Sequence, residues 1–209
     1  NGYPLRTTHD NAEAAGHRLG EAVLKAMEES VAIAESRLEV RNSQARLPSQ
    51  PFPSMEIWRQ SIERIDRDYA DKTKLWLTDE EYRRTLERFE NLKVKIERGE
   101  TPGTRRLDVT SAMLGREWCL VALPHELFCE YELWVDQKAP FAHTMTFGYT
   151  NGNEGYVGTD EALALGSKGG YEAGSLPNWW AHGPTSDHYA SPAVGTVVFI
   201  KNTIASLWA

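Results

Sequence analysis

Apolar residues recur at intervals of three and four positions near the start of the chain. They are Ala12, Ala15, Leu19, Val23 and Met27. This spacing predicts an amphipathic helix of about five turns. Asp10 and Glu13 have the spacing of a capping box, so we expect the helix to begin there. Residues 37–47 then alternate weakly between apolar and polar and stop at Pro48, which predicts a partly exposed strand.

Residues 54–98 are rich in charge, and their apolar residues are confined to two stripes at helical spacing. The stripes contain Trp58, Ile62, Ile65 and Tyr69, and then Tyr82, Leu86, Phe89 and Ile96. They predict an antiparallel helical hairpin at the periphery of the fold. Thr78 and Glu81 have the spacing of a capping box that begins the second helix. Acidic and basic residues are mixed on both polar faces, so the pattern does not indicate a membrane-binding hairpin.

After residue 103 the pattern becomes that of strands. Residues 107–113 alternate, and the continuous apolar run 118–123 is typical of a central strand buried on both faces. A helix is predicted over 125–137 and a further strand over 143–150. Strand, helix and strand together predict a parallel βαβ unit. We therefore expect an α/β fold in which helices flank a mixed sheet that contains this unit.

Residues 166–192 have no clear period, which predicts a long loop. The loop is either a lid over a site or a wrap that packs Trp179 and Trp180 over the core. Apolar residues at 197, 200, 204 and 207 predict a closing helix, although residues 196–200 taken alone also fit a strand. We expect one domain over residues 1–209.

Composition narrows the classes of function. The chain has 23 Lys and Arg against 30 Asp and Glu, a net charge of −7, so nucleic acid is not an expected partner. No apolar run is long enough for a transmembrane segment. The first residues include neither a Met nor a signal-peptide core, so we expect a processed chain or a piece of a longer protein. Cys119 and Cys129 lack metal-ligand spacing and are expected to be buried thiols.

The candidate chemistry lies after the two parallel strands. The chain lacks the GxSxG, GxGxxG, Walker and HExxH motifs. Ligand sites of open α/β sheets lie at the carboxyl ends of the strands. Glu126 follows the first of these ends, and residues 151–156 follow the second. Three other interpretations stay open: Glu126 complements a helix dipole, Tyr156 packs in the core, and Asn151-Gly152 is a plain turn.

The same residues belong to a set of short motifs. In chain order these are Leu-Pro-His-Glu-Leu-Phe at 123–128, residues 142–148, residues 151–159 and Gly-Tyr-Glu at 170–172. In order and spacing they resemble the C-terminal half of the neutral/alkaline non-lysosomal ceramidase family, especially its bacterial members. The resemblance extends from about residue 10 to the end of the chain, and the hairpin is only loosely matched.

The resemblance implies a zinc-dependent amidase that hydrolyses the N-acyl bond of ceramide-like lipids or other amide-containing small molecules. In the family, two His from the N-terminal half hold the zinc together with a Glu and a Tyr that match Glu126 and Tyr156. The residues implied near the metal or on the substrate side are His125, Asn151, Tyr171 and Glu172. A periplasmic or secreted location is implied as well.

The family's N-terminal half, with its two His and its catalytic serine loop, has no counterpart in this sequence. His125 stands where family members usually have Gly. Two oxygen ligands are fewer than zinc requires, so we expect the chain to be the C-terminal part of such an amidase and to be inactive by itself. The alternative is a non-catalytic binding or interaction module. A third reading is a piece completed by an N-terminal half or a second chain, which would expose a large apolar face.

The sheet topology makes its own prediction for the two proposed ligands. If the βαβ unit forms, Glu126 opens its helix and Tyr156 lies on the loop that leaves the same sheet edge. We expect the Glu126 carboxylate and the Tyr156 hydroxyl to lie within about 3 to 6 Å of each other. A dipole-complementing Glu and a core Tyr require no such proximity.

Overall fold

The computed structural model describes residues 8–35, 37–71, 78–153, 155–165, 168, 172 and 192–209. Most of the predicted loop 166–192 lies outside the described residues, and so does Tyr171. The chain divides into two compact units, Asn1–Ser36 and Arg37–Ala209. The expectation of one domain stays a prediction.

The first unit contains helix α1, His9–Glu28, which confirms the predicted helix. None of its residues is buried. The expected capping box at Asp10 and Glu13 is wrong. The Thr8 side chain accepts a hydrogen bond from the Asn11 N–H and caps the helix, so Asp10 already lies in the first turn.

The second unit is built on a four-stranded sheet. Its strands are β1 Leu38–Pro48, β2 Thr104–Leu114, β3 Trp118–Ala122 and β5 His143–Phe147, in the order β1-β2-β3-β5. The first two pairs are antiparallel, and β3 pairs with β5 in parallel. Helix α4, Glu130–Lys138, connects the parallel strands. The α/β fold with a mixed sheet and a βαβ unit is therefore confirmed.

One face of the sheet carries the main core. Helix α6, Val197–Ser206, contacts β1 and β2, and α4 contacts β5. The buried residues of this core include Leu47, Leu107, Val109, Val121, Tyr131, Val135, Ile200 and Ile204. The closing helix is confirmed, and the strand alternative for 196–200 is wrong because the Ile200 N–H donates to the Thr196 carbonyl.

The hairpin is confirmed as helices α2, Met55–Ala70, and α3, Asp79–Glu97. Trp58, early in α2, donates from Nε1 to the Phe89 carbonyl at 2.8 Å. Tyr69, late in α2, stacks on Tyr82 at the start of α3, so the helices are antiparallel. Their core of Ile65, Phe89 and Leu92 is separate from the main core, as expected for a peripheral hairpin. The Thr78–Glu81 capping box is also confirmed.

The helix predicted over 125–137 begins later than expected. Residues Glu126–Leu127 form a short strand, β4, and α4 begins only at Glu130. The backbone turns before the helix: His125 has a φ of 72°, a left-handed conformation that interrupts a right-handed helix. Strand β4 pairs in parallel with β6, Tyr156–Val157, which leads to helix α5, Asp160–Ala164.

The two cysteines have different environments, and both are free thiols. Cys119 is buried on β3, as predicted, and burial raises the pKa of its thiol. Its Sγ lies 3.2 Å from the Ser111 hydroxyl. Cys129 is exposed, so its predicted burial is wrong. The late start of α4 makes Cys129 the N-cap residue of that helix.

Candidate functional site

The candidate site lies where the parallel strands β3 and β5 end. Residues 123–128 run between residues 147–150 on one side and residues 152, 155 and 157 on the other. On the first side, the Tyr149 N–H donates to the His125 carbonyl at 2.8 Å. On the second side, the His125 N–H donates to the Gly152 carbonyl at 2.9 Å. The backbone of His125 therefore joins both flanking segments.

Glu126 and Tyr156 are direct neighbours across the β4–β6 pair, in which they are register partners. Partners in a parallel pair lie about 4.8 Å apart and project their side chains to the same side. The structure therefore makes the two residues neighbours across a strand pair, and the predicted separation of their side-chain oxygens stays a prediction. The element that carries Glu126 differs from the predicted one: the residue lies on strand β4 and not in the first turn of a helix. Its interpretation as a residue that opens α4 and complements the helix dipole is wrong.

Both residues line one pocket of about 260 Å³. The other lining residues are Leu127, Phe128, Cys129, Glu132, Thr146, Gly148 and Tyr149. The pocket thus combines two carboxylates, a thiol and two phenols with an apolar wall. Carboxylate and phenol oxygens can bind a cation or accept hydrogen bonds from a polar ligand.

The backbone around this pocket is unusual. The described residues include three non-glycine residues with positive φ: His125 at 72°, Tyr149 at 56° and Asn151 at 62°. Tyr149 lines the pocket, and the other two lie in the segments beside it. Backbone strain of this kind concentrates at functional sites. Gly148 adds a close approach, because a Cβ at this position would lie 3.0 Å from the His125 carbonyl oxygen. A larger residue would therefore require the backbone at His125 to shift by a few tenths of an ångström.

The carboxylate of Glu126 has a partner that the sequence analysis missed. Asn153 donates from Nδ2 to Glu126 Oε1 at 3.1 Å, and its Oδ1 accepts from the Gly155 N–H at 2.9 Å. The second contact is an Asx-type turn, for which an Asn two positions before a Gly is a local signal. No local signal indicates the first contact, because 27 positions separate the two residues.

The other predicted site residues are dispersed. The His125 side chain is buried, with 5% of its surface exposed, and is not part of the pocket lining. Asn151 lines a different pocket of about 340 Å³, together with residues of β1 and β2. Glu172 is half-buried. The structure therefore brings together Glu126 and Tyr156 but does not gather His125 and Asn151 around the same pocket.

A second polar cluster holds the elements behind the site. Tyr131 of α4 donates from its hydroxyl to the Gly158 carbonyl at 3.0 Å, and burial raises the pKa of this phenol. Asp160, the first residue of α5, accepts from the Gly195 N–H at 2.7 Å. Gly195 lies two residues before the start of α6. These contacts connect the segment after β6 to both core helices. They give the cluster a structural role.

The donors at the candidate site can be compared with those that zinc requires. Glu126 and Tyr156 supply two oxygen donors on one side of a strand pair, which fits two of the four positions that zinc normally uses. The described part of the chain contains no group of three or more His, Cys, Asp or Glu residues that could hold a metal. A complete zinc site would therefore need donors from outside the described residues.

The sheet face opposite the core is open. Three register rows of four residues occupy it: Leu38, Leu114, Trp118 and His143; Val40, Ala112, Leu120 and Met145; Asn42, Thr110, Ala122 and Phe147. We call these twelve residues the open sheet face. These twelve residues include no Asp, Glu, Lys or Arg, whereas the same face continues along β1 and β2 with Gln44, Asp108, Arg46 and Arg106. Leu38 and Phe147 are 60% and 46% exposed. From strand spacing, it covers about 400 Å².

The expectation that β3 is buried on both faces is therefore wrong. Cys119 and Val121 are buried against the helices, whereas Trp118 and Leu120, on the open sheet face, are half-buried. Two of the three strand pairs are antiparallel, and antiparallel sheets can leave one face uncovered. The largest apolar patch of a protein is often functional.

Comparisons with known proteins give no relative. No protein-family model matches the chain. No curated protein and no solved structure matches it significantly. None of the helices in the described residues combines the length and the apolar character that a membrane span requires.

Proposed function

We propose that the chain is the C-terminal part of a ceramidase-like, zinc-dependent amidase that hydrolyses N-acyl amide bonds, and that it is inactive by itself. The observation that carries this proposal is the register pairing of Glu126 with Tyr156 above a shared pocket. These are the two residues that match the family's metal ligands in this half. The pairing comes from the sheet topology and does not depend on the resemblance.

The backbone at position 125 also supports the proposal. Family members usually have Gly where this chain has His125. The φ of 72° at His125 lies in the region that favours glycine. The turn after β3 therefore has the conformation that a Gly at this position would serve, and the next residue is the proposed ligand Glu126.

Zinc bound at such a site would lower the pKa of its bound water and polarise the substrate carbonyl. The residues of this chain would contribute the carboxylate of Glu126 and the phenol oxygen of Tyr156. The apolar side chains of Leu127 and Phe128 line the same pocket and would exclude water from an acyl group. The remaining ligands, which we propose to be His nitrogens, would come from an N-terminal half or a second chain.

The open sheet face supports completion by another polypeptide. It is uncharged and largely apolar, so its natural cover is an apolar layer of a further sheet or helix pair. A polypeptide that packs on this face and supplies the remaining ligands would complete the fold and the site together. The chain would then recognise an amide-containing lipid or small molecule only in the assembled protein.

The second candidate is a non-catalytic binding module of the same fold. The observation in its favour is that the described residues contain no group of three or more potential metal ligands among His, Cys, Asp and Glu. In this case Glu126 and Tyr156 would bind a polar ligand directly through hydrogen bonds.

The two candidates differ in their response to metal. We would titrate the full chain with Zn²⁺ by calorimetry and with Co²⁺ by absorption, beside the variants Glu126→Gln and Tyr156→Phe. Glu132→Gln is the matched control, because Glu132 lines the same pocket but is not the register partner of Tyr156. Each ligand variant is expected to weaken binding about tenfold or more, since even outer partners of metal ligands contribute that much.

Amidase activity is measured in parallel on ceramide-like substrates, and none is expected from the isolated chain. Zinc binding that is equal in all four proteins would reject the metal proposal and favour the binding module. Zinc-stimulated hydrolysis that disappears in Glu126→Gln would instead show that the isolated chain is a complete enzyme.

A further inference from the structure

The side chain of Asn153 connects the two strands of the candidate site. It lies in the segment between β5 and β6, and its amide makes two hydrogen bonds with opposite roles. Oδ1 accepts from the Gly155 N–H at 2.9 Å, and Nδ2 donates to Glu126 Oε1 at 3.1 Å. Because the amide group is planar, the first bond sets the direction in which Nδ2 points.

A backbone hydrogen bond joins two of the same three residues. The Glu126 N–H donates to the Gly155 carbonyl at 3.0 Å, so Gly155 is bonded both to the side chain of Asn153 and to the backbone of Glu126. Gly155 has a φ of 110°, which few other residues adopt. The position of Asn153 relative to Glu126 is thus set by a closed ring of three hydrogen bonds.

We infer that Asn153 is a positioning residue for Glu126, whose carboxylate it holds in one orientation toward the pocket. A glutamate side chain has three rotatable bonds and loses considerable entropy when it is held in place. The amide supplies this restraint before a ligand arrives. The inference rests on the proposed function only in taking the bound ligand to be a metal ion.

A simpler role for Asn153 is to form the turn at Gly155, and two variants separate the roles. Asn153→Ser keeps a hydroxyl that can accept from the Gly155 N–H but removes the donor to Glu126. Asn153→Ala removes both contacts. If Asn153 only forms the turn, the serine variant behaves as the wild type. If Asn153 positions Glu126, the serine variant behaves as the alanine variant at the site and as the wild type in stability.

The first measurement requires no metal. Three-bond scalar couplings of the Glu126 side chain are measured by NMR in the full chain. We expect one dominant rotamer in the wild type and averaging in both Asn153 variants. The Asn153 side-chain amide protons should also shift when Glu126 is replaced by Ala. A Glu126 side chain that is averaged in the wild type, or ordered in Asn153→Ser, would overturn the inference.

The second measurement uses Zn²⁺ alone as the probe. Asn153→Ser and Asn153→Ala should each weaken Zn²⁺ binding about tenfold, the effect typical of residues that orient a metal ligand. Retained affinity in Asn153→Ser would reject the positioning role. Zn²⁺ affinity that is equal in the wild type and in Glu126→Gln would reject the proposed function, and the NMR couplings still decide whether Asn153 positions Glu126.

Discussion

Glu126 and Tyr156 face each other across two short parallel strands, and the pairing is made by backbone hydrogen bonds on both sides of Glu126. The Glu126 N–H donates to the Gly155 carbonyl, and the Phe128 N–H donates to the Val157 carbonyl. These bonds use main-chain groups, which a substitution at either side chain leaves in place. Each side chain can be replaced to test its chemistry while the strand pair that positions it is kept.

The left-handed backbone at His125 predicts an unusual order of stability. His125→Gly and His125→Ala lose the same buried imidazole, but only Ala keeps a Cβ at a φ of 72°. The glycine variant should therefore be more stable than the alanine variant by about 1 kcal/mol. Urea denaturation of the two variants measures the difference. At a negative φ the alanine variant would be the more stable one. A more stable His125→Ala would therefore contradict the positive φ at this position.

The close approach at Gly148 predicts that even one methyl group is harmful. A Cβ there would lie 3.0 Å from the His125 carbonyl oxygen, which belongs to the backbone and cannot rotate away. Gly148→Ala should lower the free energy of unfolding by about 1 to 3 kcal/mol. Gly103→Ala is the control, because nothing lies within 4 Å of its added Cβ. Equal stability of the two variants in a thermal melt would argue against this contact.

The tyrosine pair of the hairpin predicts a loss of stability at alkaline pH. Tyr82 donates to Asp66 at 2.6 Å, and this hydrogen bond, followed by burial, raises the pKa of Tyr82 from 10.0 to about 12. The folded protein then holds this proton more tightly than the unfolded chain. The stabilisation is complete below pH 10 and is lost as the pH rises toward 12.

The check is the free energy of unfolding of the wild type and of Tyr82→Phe between pH 8 and 12. Tyr82→Phe retains the ring that stacks on Tyr69 but has no proton to lose. The stability advantage of the wild type should shrink above pH 10. An advantage that stays constant up to pH 12 would be inconsistent with the raised pKa.

Substitutions on the open sheet face should reduce the binding of apolar molecules while leaving the free energy of unfolding almost unchanged. Met145 and Phe147 are 42% and 46% exposed, so Met145→Thr and Phe147→Thr should change the free energy of unfolding by only about 0.5 kcal/mol. Both variants should bind less of an apolar fluorescent dye. Leu165→Thr, which removes a residue that is 57% exposed and lies outside this face, is the control. Equal loss of dye binding in all three variants would mean that the face has no special affinity for apolar partners.

Elements with a local cause could be predicted from the sequence. The second hairpin helix begins at Thr78 because its capping box involves residues only three positions apart. Strand β2 alternates because every second residue faces the helices. The first helix was predicted correctly, but its cap was not, because Asp10 and Thr8 are both residues that cap helices and only the folded backbone chooses between them.

The candidate site itself depended on contacts between distant segments. The apolar spacing of Leu127, Tyr131 and Trp134 favours a helix that begins early, whereas the fold turns at His125 and pairs Glu126 with Tyr156. Such pairing overrides local preference, because a strand forms only where a second segment supplies hydrogen bonds. The contact from Asn153 to Glu126 has the same origin.

The sequence by itself determined the fold class and the parallel unit, since the apolar period of each element is local and the order strand, helix, strand favours parallel pairing. The choice of Glu126 and Tyr156 came from the resemblance and from their position after the two strands. Only the tertiary structure decided which side of each element is covered. The apolar residues of β3 predict burial on two faces, and yet helices cover one face and leave Trp118 and Leu120 half-buried. The hydrophobic effect favours burial of both faces but does not specify which layer provides it.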